Sequence, residues 1–370
     1  MKMTISHFAQ DAAQIALEKF SRGEIDRRSF LVALGGLGLA AAFKPGIASA
    51  DASEIVVCNW GGAATDAFAK AYGDPFTKKS GMKVVIDGAG PAVGTIRAMV
   101  ESGKVIWDAT DGGMIDSLTL GKGNLVEKID YSIVDKSQVP ENFAGEFGVS
   151  NYVYSNVLAY DADATKGVAP TGWADFFDTA KFPGKRTMCK WIQGQLEFVL
   201  MADGVAPADL YPLDVDRAFK KLKPMLADII FWEGGAQTQQ LFREGEVVMG
   251  NIWHTRANLL NKETPDKFKW IWEQNILSAS AWSVPKGNPA GKKVFEFINS
   301  TLDPAGQLVL LQIMGNGPSN PKTLALMTPE DAAVNPTTKE NATSQIMLNP
   351  AYYAEHETEL QNKYLDFISS

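Results

Sequence analysis

Residues 54–110 read EIVVCNWGGAATDAFAKAYGDPFTKKSGMKVVIDGAGPAVGTIRAMVESGKVIWDAT, and this stretch decides the fold class. Glu54 to Cys58 is a short β-rich run, Asn59-Trp60-Gly61-Gly62 breaks it, and Thr65 to Lys79 follows with helical spacing. Met82 to Ile86 is strand-like again after Gly81, Thr95 to Ser102 is helical, and Ile106 to Thr110 is a third short strand. Strands that alternate with helices predict a largely parallel α/β sheet. Ligands in such sheets sit at the carboxyl ends of strands, beside helix N-termini. Trp60, Gly61 and Gly62 therefore stand where a ligand is expected.

Toward the C-terminus the pattern changes. Asn151 to Tyr160 (NYVYSNVLAY) is a long extended run with alternating aromatics, Tyr154 among them, and reads as a strand passing from a first lobe to a second. A second α/β set follows, with strands at Arg186 to Cys189, Ile229 to Trp232 and Val247 to Ile252, and helices between them. Ile276 to Val284 reads as the return crossing, Ala290 to Thr301 and Pro304 to Ile313 as helices of the first lobe, and Tyr353 to Ile368 as a terminal helix folded back across the hinge. About 320 residues after residue 50 exceed what one hydrophobic core usually supports. The expected division is 51–152 with about 280–318 in lobe 1, and 153–279 with about 319–370 in lobe 2.

Toward the N-terminus, Asp26-Arg27-Arg28-Ser29-Phe30-Leu31 sets two arginines ahead of an apolar stretch broken by Gly35, Gly36 and Gly38, and Ala48-Ser49-Ala50 supplies a small-residue cleavage site. The apolar stretch is about a dozen residues, short of the roughly 20 that span a bilayer. Residues 1–50 are therefore expected to be a twin-arginine signal peptide, with a chain starting at Asp51 in the periplasm. Removing them takes the net charge from −8 to −10, because six basic and four acidic residues leave. That balance disfavours nucleic acid or an anionic membrane as a partner. The two cysteines, Cys58 and Cys189, specify no disulfide framework.

The chemistry of the residues argues against catalysis. After residue 50 only His254 and His356 remain, too few for a metal site of several His and Cys ligands. There is no phosphate-binding Gly-x-x-x-x-Gly-Lys-Ser/Thr loop and no Gly-x-Ser-x-Gly nucleophile elbow, and Pro91 interrupts the only dinucleotide-like glycine run. No cofactor is expected. What stands out is nine tryptophans, of which Trp60, Trp191, Trp232, Trp253 and Trp282 fall at predicted strand ends. Tryptophans fill cores, but an aromatic lining with a few polar groups is also how a cleft holds a small organic ligand.

An ordered set of phrases resembles the spermidine/putrescine-type periplasmic binding proteins of ABC importers: Asn59-Trp60-Gly61-Gly62, DPFTKKSGMKV at 74–84, GKVIWD at 103–108, Trp173 to Phe177 followed by Phe182-Pro183-Gly184-Lys185, and GEVVMGNIW at 245–253. The resemblance implies a type II periplasmic-binding-protein fold, α/β, with two lobes closing on a ligand by hinge motion and no catalysis. It also implies a membrane permease and an ATPase as partners of a monomeric binding protein. The three acids with which the family holds polyamines fall here on Trp191, Gly194 and Ser280, and the aromatic before the third falls on Ser278. The family's tryptophans are kept at Trp60 and Trp253.

Losing those carboxylates removes the charge partners of a dication. Lys190 beside Trp191, and Arg256 three residues after Trp253, stand in their place. Arg256 can clamp a carboxylate or phosphonate, and Asp108, Asp111 and Glu233 remain as candidate amine partners. The expected ligand is an ω-amino acid, another amino acid or an aminophosphonate, ahead of putrescine or spermidine. A periplasmic ferric-ion binder using Tyr352-Tyr353 is the remaining alternative.

Overall fold

The computed structural model describes residues 54–370; the signal and cleavage site expected within 1–50 lie outside the described residues. Strand β1 (Glu54–Cys58) is buried along its whole length. It lies between β2 (Lys83–Asp87) and β3 (Ala109–Gly113), parallel to both. The helix expected over Thr65 to Lys79 is present as α1 (Ala63–Phe68) and α2 (Asp74–Ser80), joined without a break by a π-helical turn over Ala69–Gly73. Pro75 in the first turn of α2 has no N–H to donate, and the wide turn absorbs the missing bond. After α3 (Val93–Glu101), β3 begins three residues later than the sequence suggests. There the Asp108 carboxylate, not a ladder carbonyl, accepts the Val56 N–H at 2.7 Å.

Past α4 (Met114–Lys122), strand β4 (Tyr152–Asp161) enters the second α/β set. That set comprises α5 (Trp173–Phe177), β5 (Arg186–Cys189), α6 (Gln195–Ala202), α7 (Val215–Leu222), β6 (Ile229–Trp232), α8 (Gly235–Arg243), β7 (Met249–Trp253), α9 (His254–Glu263) and β8 (Phe268–Trp270). Strand β9 (Ile276–Ser283) returns. After it come α10 (Lys293–Thr301), α11 (Pro304–Met314), β10 (Gly317–Pro318), α12 (Pro329–Val334), α13 (Lys339–Ala342), β11 (Ile346–Met347) and α14 (Pro350–Ile368).

One sheet runs through the molecule in the order β2-β1-β3-β9-β4-β7-β5-β6. Its two ends are parallel, and the middle, where β9 pairs with β3 and β4 and β4 pairs with β7, is antiparallel. Strand β9 changes neighbour along its length: Ser280–Ser283 pair with β3, and Ile276–Ala279 with β4.

The buried side chains fall into separate groups on the two sides of this middle. Ile55, Phe68, Tyr72, Trp282, Phe297 and Leu310 pack together on one side, and Trp173, Phe198, Leu200, Leu222 and Met249 on the other. Trp282 is thus a core residue, its indole N–H donating to Thr301 at 2.8 Å.

Helix α14 adds Tyr353, Leu360 and Tyr364 to the second group. It also ties down the β5–α6 loop, since the Tyr364 hydroxyl donates to the Cys189 carbonyl and the Gln361 amide to that of Lys190, both at 2.8 Å. The segment 319–334 begins with contacts to helices α10 and α11. The Asn320 amide donates to Leu302 O and its N–H to Gln307, which anchors it to the α10–α11 region of the first side.

Candidate functional site

At the end of β1 the Asn59 carboxamide accepts the Gly61 N–H at 3.0 Å, closing a tight turn. Gly61 has φ +68°, and a Cβ there would stand 2.5 Å from the Gly88 carbonyl oxygen, so only glycine fits. The turn presents the Trp60 ring edge-on to Trp253 at the end of β7 (5.4 Å) and to Trp191 (6.4 Å). Tyr154 of β4 meets Trp253 edge-on at 6.4 Å. Trp253 also caps the N-terminus of α9, whose first turn carries Thr255 and Arg256 inward.

These aromatic and first-turn residues, Trp191 excepted, surround a cavity with Ala64, Phe68, Asp111, Gly112, Gly113, Asp116, Tyr152, Met314 and Asn316. Its volume is about 50 Å³ measured to the centres of water-sized spheres. One water occupies about 10–15 Å³ on that scale, so the enclosed space suits a compact solute.

Arg256 is 1% exposed. Its Nη2 donates to Gly61 O at 3.0 Å, while Nε and Nη1 are buried with no partner. Gly235 makes room for it, because a Cβ there would lie 2.4 Å from Nε. Burial pulls its pKa down to about 10, against the pull of Tyr152 and Asp111 upward, so it stays cationic at neutral pH.

Asp111 accepts the Ser280 hydroxyl at 2.7 Å and the Tyr152 hydroxyl at 3.0 Å. Burial raises its pKa to about 7 against those bonds. Asp116 accepts the Gly113 N–H at 2.8 Å and the Gln193 amide at 2.9 Å. Glu357 of α14 shares that amide and accepts the Thr119 hydroxyl at 2.8 Å. Burial raises the pKa of both acids, Glu357 to about 7 with the Asp116 charge adding to the rise.

Of the residues the sequence singles out, Trp60, Tyr154, Trp253 and Arg256 line the cavity. Gly61 and Gly62 bring main chain against Arg256. Trp191 does not line the cavity but meets the Trp60 ring, its indole N–H donating to Glu233 O at 2.9 Å. Ser278 lies opposite Tyr154 in the β4–β9 ladder, and Ser280 bonds Asp111 and Asn151.

Three expectations are corrected. Asp108 is fully buried with its oxygens on the Val56 and Ala290 N–H groups, because it replaces ladder acceptors; it is no amine partner. Trp232 is also fully buried, edge-on behind Trp253 at 5.1 Å with its N–H on Asn251 O, so it supports the wall without forming it. Lys190 pairs with Glu233 in a partly exposed ion pair, and neither residue lines the cavity.

Sequence reasoning missed Tyr152, Asp116, Thr255 and Asn316. Tyr152 was reachable, since it lies two residues before Tyr154 on the same face of β4. The ferric alternative loses its ligands: Tyr353 is buried against Glu197 at 2.8 Å in the second core. Among the described residues no group of three or more His, Cys, Asp or Glu is placed to hold a metal ion.

The family described as bacterial extracellular solute-binding protein matches residues 71–339 of this chain. A gamma-aminobutyric acid-binding protein of Pseudomonas aeruginosa is 34% identical over 343 residues, covering 90% of this chain and 94% of that protein. The solved structure of a GABA receptor is 36% identical with a TM-score of 0.76, covering 85% of this chain and 97% of that one. A binding protein of A. tumefaciens R10 in complex with agropinic acid is 33% identical with a TM-score of 0.81, covering 86% and 99%.

Proposed function

The chain belongs to the bacterial extracellular solute-binding protein family, and from that premise we propose that it captures a small zwitterionic solute, an ω-amino acid of the γ-aminobutyrate kind, for an ABC importer. It is a solute-binding protein and not an enzyme; a permease and an ATPase are its membrane partners. Two of these relatives are named for γ-aminobutyrate and support this solute class, while a third holds agropinic acid, which also carries a carboxyl group.

The observation that carries the reading is the dry guanidinium of Arg256 with two N–H groups unmatched at the cavity. A buried donor without an acceptor costs about 1–3 kcal/mol, and more when charged, so an anionic group is the natural complement. Trp60, Tyr152, Tyr154 and Trp253 wall the solute's methylenes. Asp111 and Asp116 present carboxyl oxygens to its ammonium. Both line the same cavity as Arg256, and the γ-aminobutyrate names of the two relatives favour an ω-amino acid over an α-amino acid. Putrescine or spermidine would set a second cation against Arg256.

In this reading residues 51–152 and 280–318 form one lobe, most of the remainder forms the other, and β4 and β9 are the hinge. The Arg256–Gly61 bond, the Trp60–Trp253 contact and the Asp116–Gln193 bond then join the lobes in the closed form. Residues 1–50 act as a twin-arginine signal delivering a monomer to the periplasm; replacing Arg27 and Arg28 by lysine should leave the protein in the cytoplasm.

Calorimetric titration of ligand-stripped protein with γ-aminobutyrate, α-amino acids, putrescine and spermidine tests the solute. Tight binding of a polyamine with no response to amino acids would overturn the reading.

A further inference from the structure

We propose that Asn316 contacts the bound solute and reads its amino group through the side-chain oxygen. The inference rests on the cavity being the solute site. Asn316 is 3% exposed, lines the cavity, and its Oδ1 has no partner. Among the described residues that line the cavity, the buried side-chain atoms without partners are this acceptor and the two Arg256 donors. Asp111 already accepts from Ser280 and Tyr152, and Asp116 from Gly113 and Gln193.

The backbone on either side of Asn316 is held in place, which fixes the point from which its buried carboxamide reaches the cavity. The Gly315 carbonyl accepts the His254 Nε2–H at 2.7 Å, and His254 Nδ1 accepts the Ser155 N–H at 2.9 Å, which together require a neutral ring. Burial pulls the His254 pKa down to about 4, in keeping with that tautomer. Asn258 donates to Met314 O at 2.9 Å, and Lys262 to Gln312 O at 2.6 Å. On the other side Gly317 pairs with Val153 of β4.

His254, Asn258 and Lys262 are spaced four apart and so share one face of α9. That face holds the end of α11, while the first turn of the same helix delivers Arg256. One helix thus sets both an unmatched donor pair and an unmatched acceptor. A solute with a carboxylate and an N–H completes both, whereas a simple carboxylate leaves the acceptor dry and unpaired.

The test compares γ-aminobutyrate with butyrate, which has the same carboxylate and no N–H, by titration of wild type, Asn316→Ala, Asn316→Asp and Arg256→Met. Asn316→Ala is expected to weaken γ-aminobutyrate binding about tenfold or more, the scale of one buried hydrogen bond left unmade, and to leave butyrate within about twofold. Asn316→Asp keeps an acceptor and should retain the preference for the amine if the alanine variant proves unstable. Equal losses for both ligands, or no loss for either, would overturn the assignment of Asn316 alone. Unchanged binding in Arg256→Met, or a wild type blind to γ-aminobutyrate, would overturn the cavity reading and this inference with it.

Discussion

Arg186 and Arg256 are both cut off from solvent, and they differ in what their guanidinium groups touch. Arg186 donates Nε to Phe176 O at 2.8 Å, Nη1 to Gly184 O at 2.7 Å and Nη2 to Phe182 O at 2.6 Å, so it staples the loop before β5. Arg256 makes one bond, to Gly61 O, and leaves Nε and Nη1 bare. Burial alone therefore does not mark a site. A dry cation whose donors all meet carbonyls is architecture; one whose donors face a cavity unmatched is a place for an anion.

The largest way to break that contrast is Arg256→Met. Solute affinity should fall about 100-fold or more, as when one partner of a desolvated charge pair is truncated. The melting temperature of the ligand-free protein should hold or rise, because an uncompensated buried charge is gone; affinity by calorimetry and Tm by scanning calorimetry read the two. Arg186→Met should do the reverse, costing about 2–4 kcal/mol of stability in denaturant titration while the folded fraction binds solute within about threefold of wild type. If both variants lose binding and neither loses stability, the distinction fails. Trp253→Ala should weaken binding by about 1–3 kcal/mol, the scale of a buried aromatic anchor.

The smallest effect is a pH dependence. Asp116 and Glu357 share one Gln193 amide. Burial raises the pKa of both, Glu357 from 4.5 to about 7. The proposed closure, which brings the pair together, takes up a proton. Its contribution is fully present below the ordinary carboxylate range and is lost as pH rises through about 7. Affinity should weaken several-fold between pH 5.5 and 8, within the scale of one raised carboxylate, and Glu357→Gln should flatten the curve. A flat wild-type profile would mean the pair does not form on closing.

The βαβ order of the first α/β unit was legible from residues 54–110 because each crossover is local. Strands β4 and β9 were legible because both crossings are long and apolar. Trp60, Trp253 and Arg256 were reachable because they follow strand ends, where α/β sheets place ligands. Asp108 and Trp232 misled for the same reason: each stands at a strand end, but one replaces a ladder acceptor and the other faces the core, and neighbours decide that. Lys190 pairs instead with Glu233, 43 residues away in sequence. Asn316 carried no local signal, since its importance comes from a pocket assembled by α9, α11 and β4. The π-helical turn and the attachment of 319–334 to the first side likewise depend on packing across distant segments.

The anchoring of α14 has a consequence for synthesis. Tyr353, Leu360 and Tyr364 leave the ribosome well after most of the core that they complete, whose other members lie mainly between residues 158 and 276. A nascent chain halted before residue 350 holds the β5–α6 loop without its tether and an apolar surface without its cover. Chains that have made this helix and chains that have not thus differ in folded state as well as length.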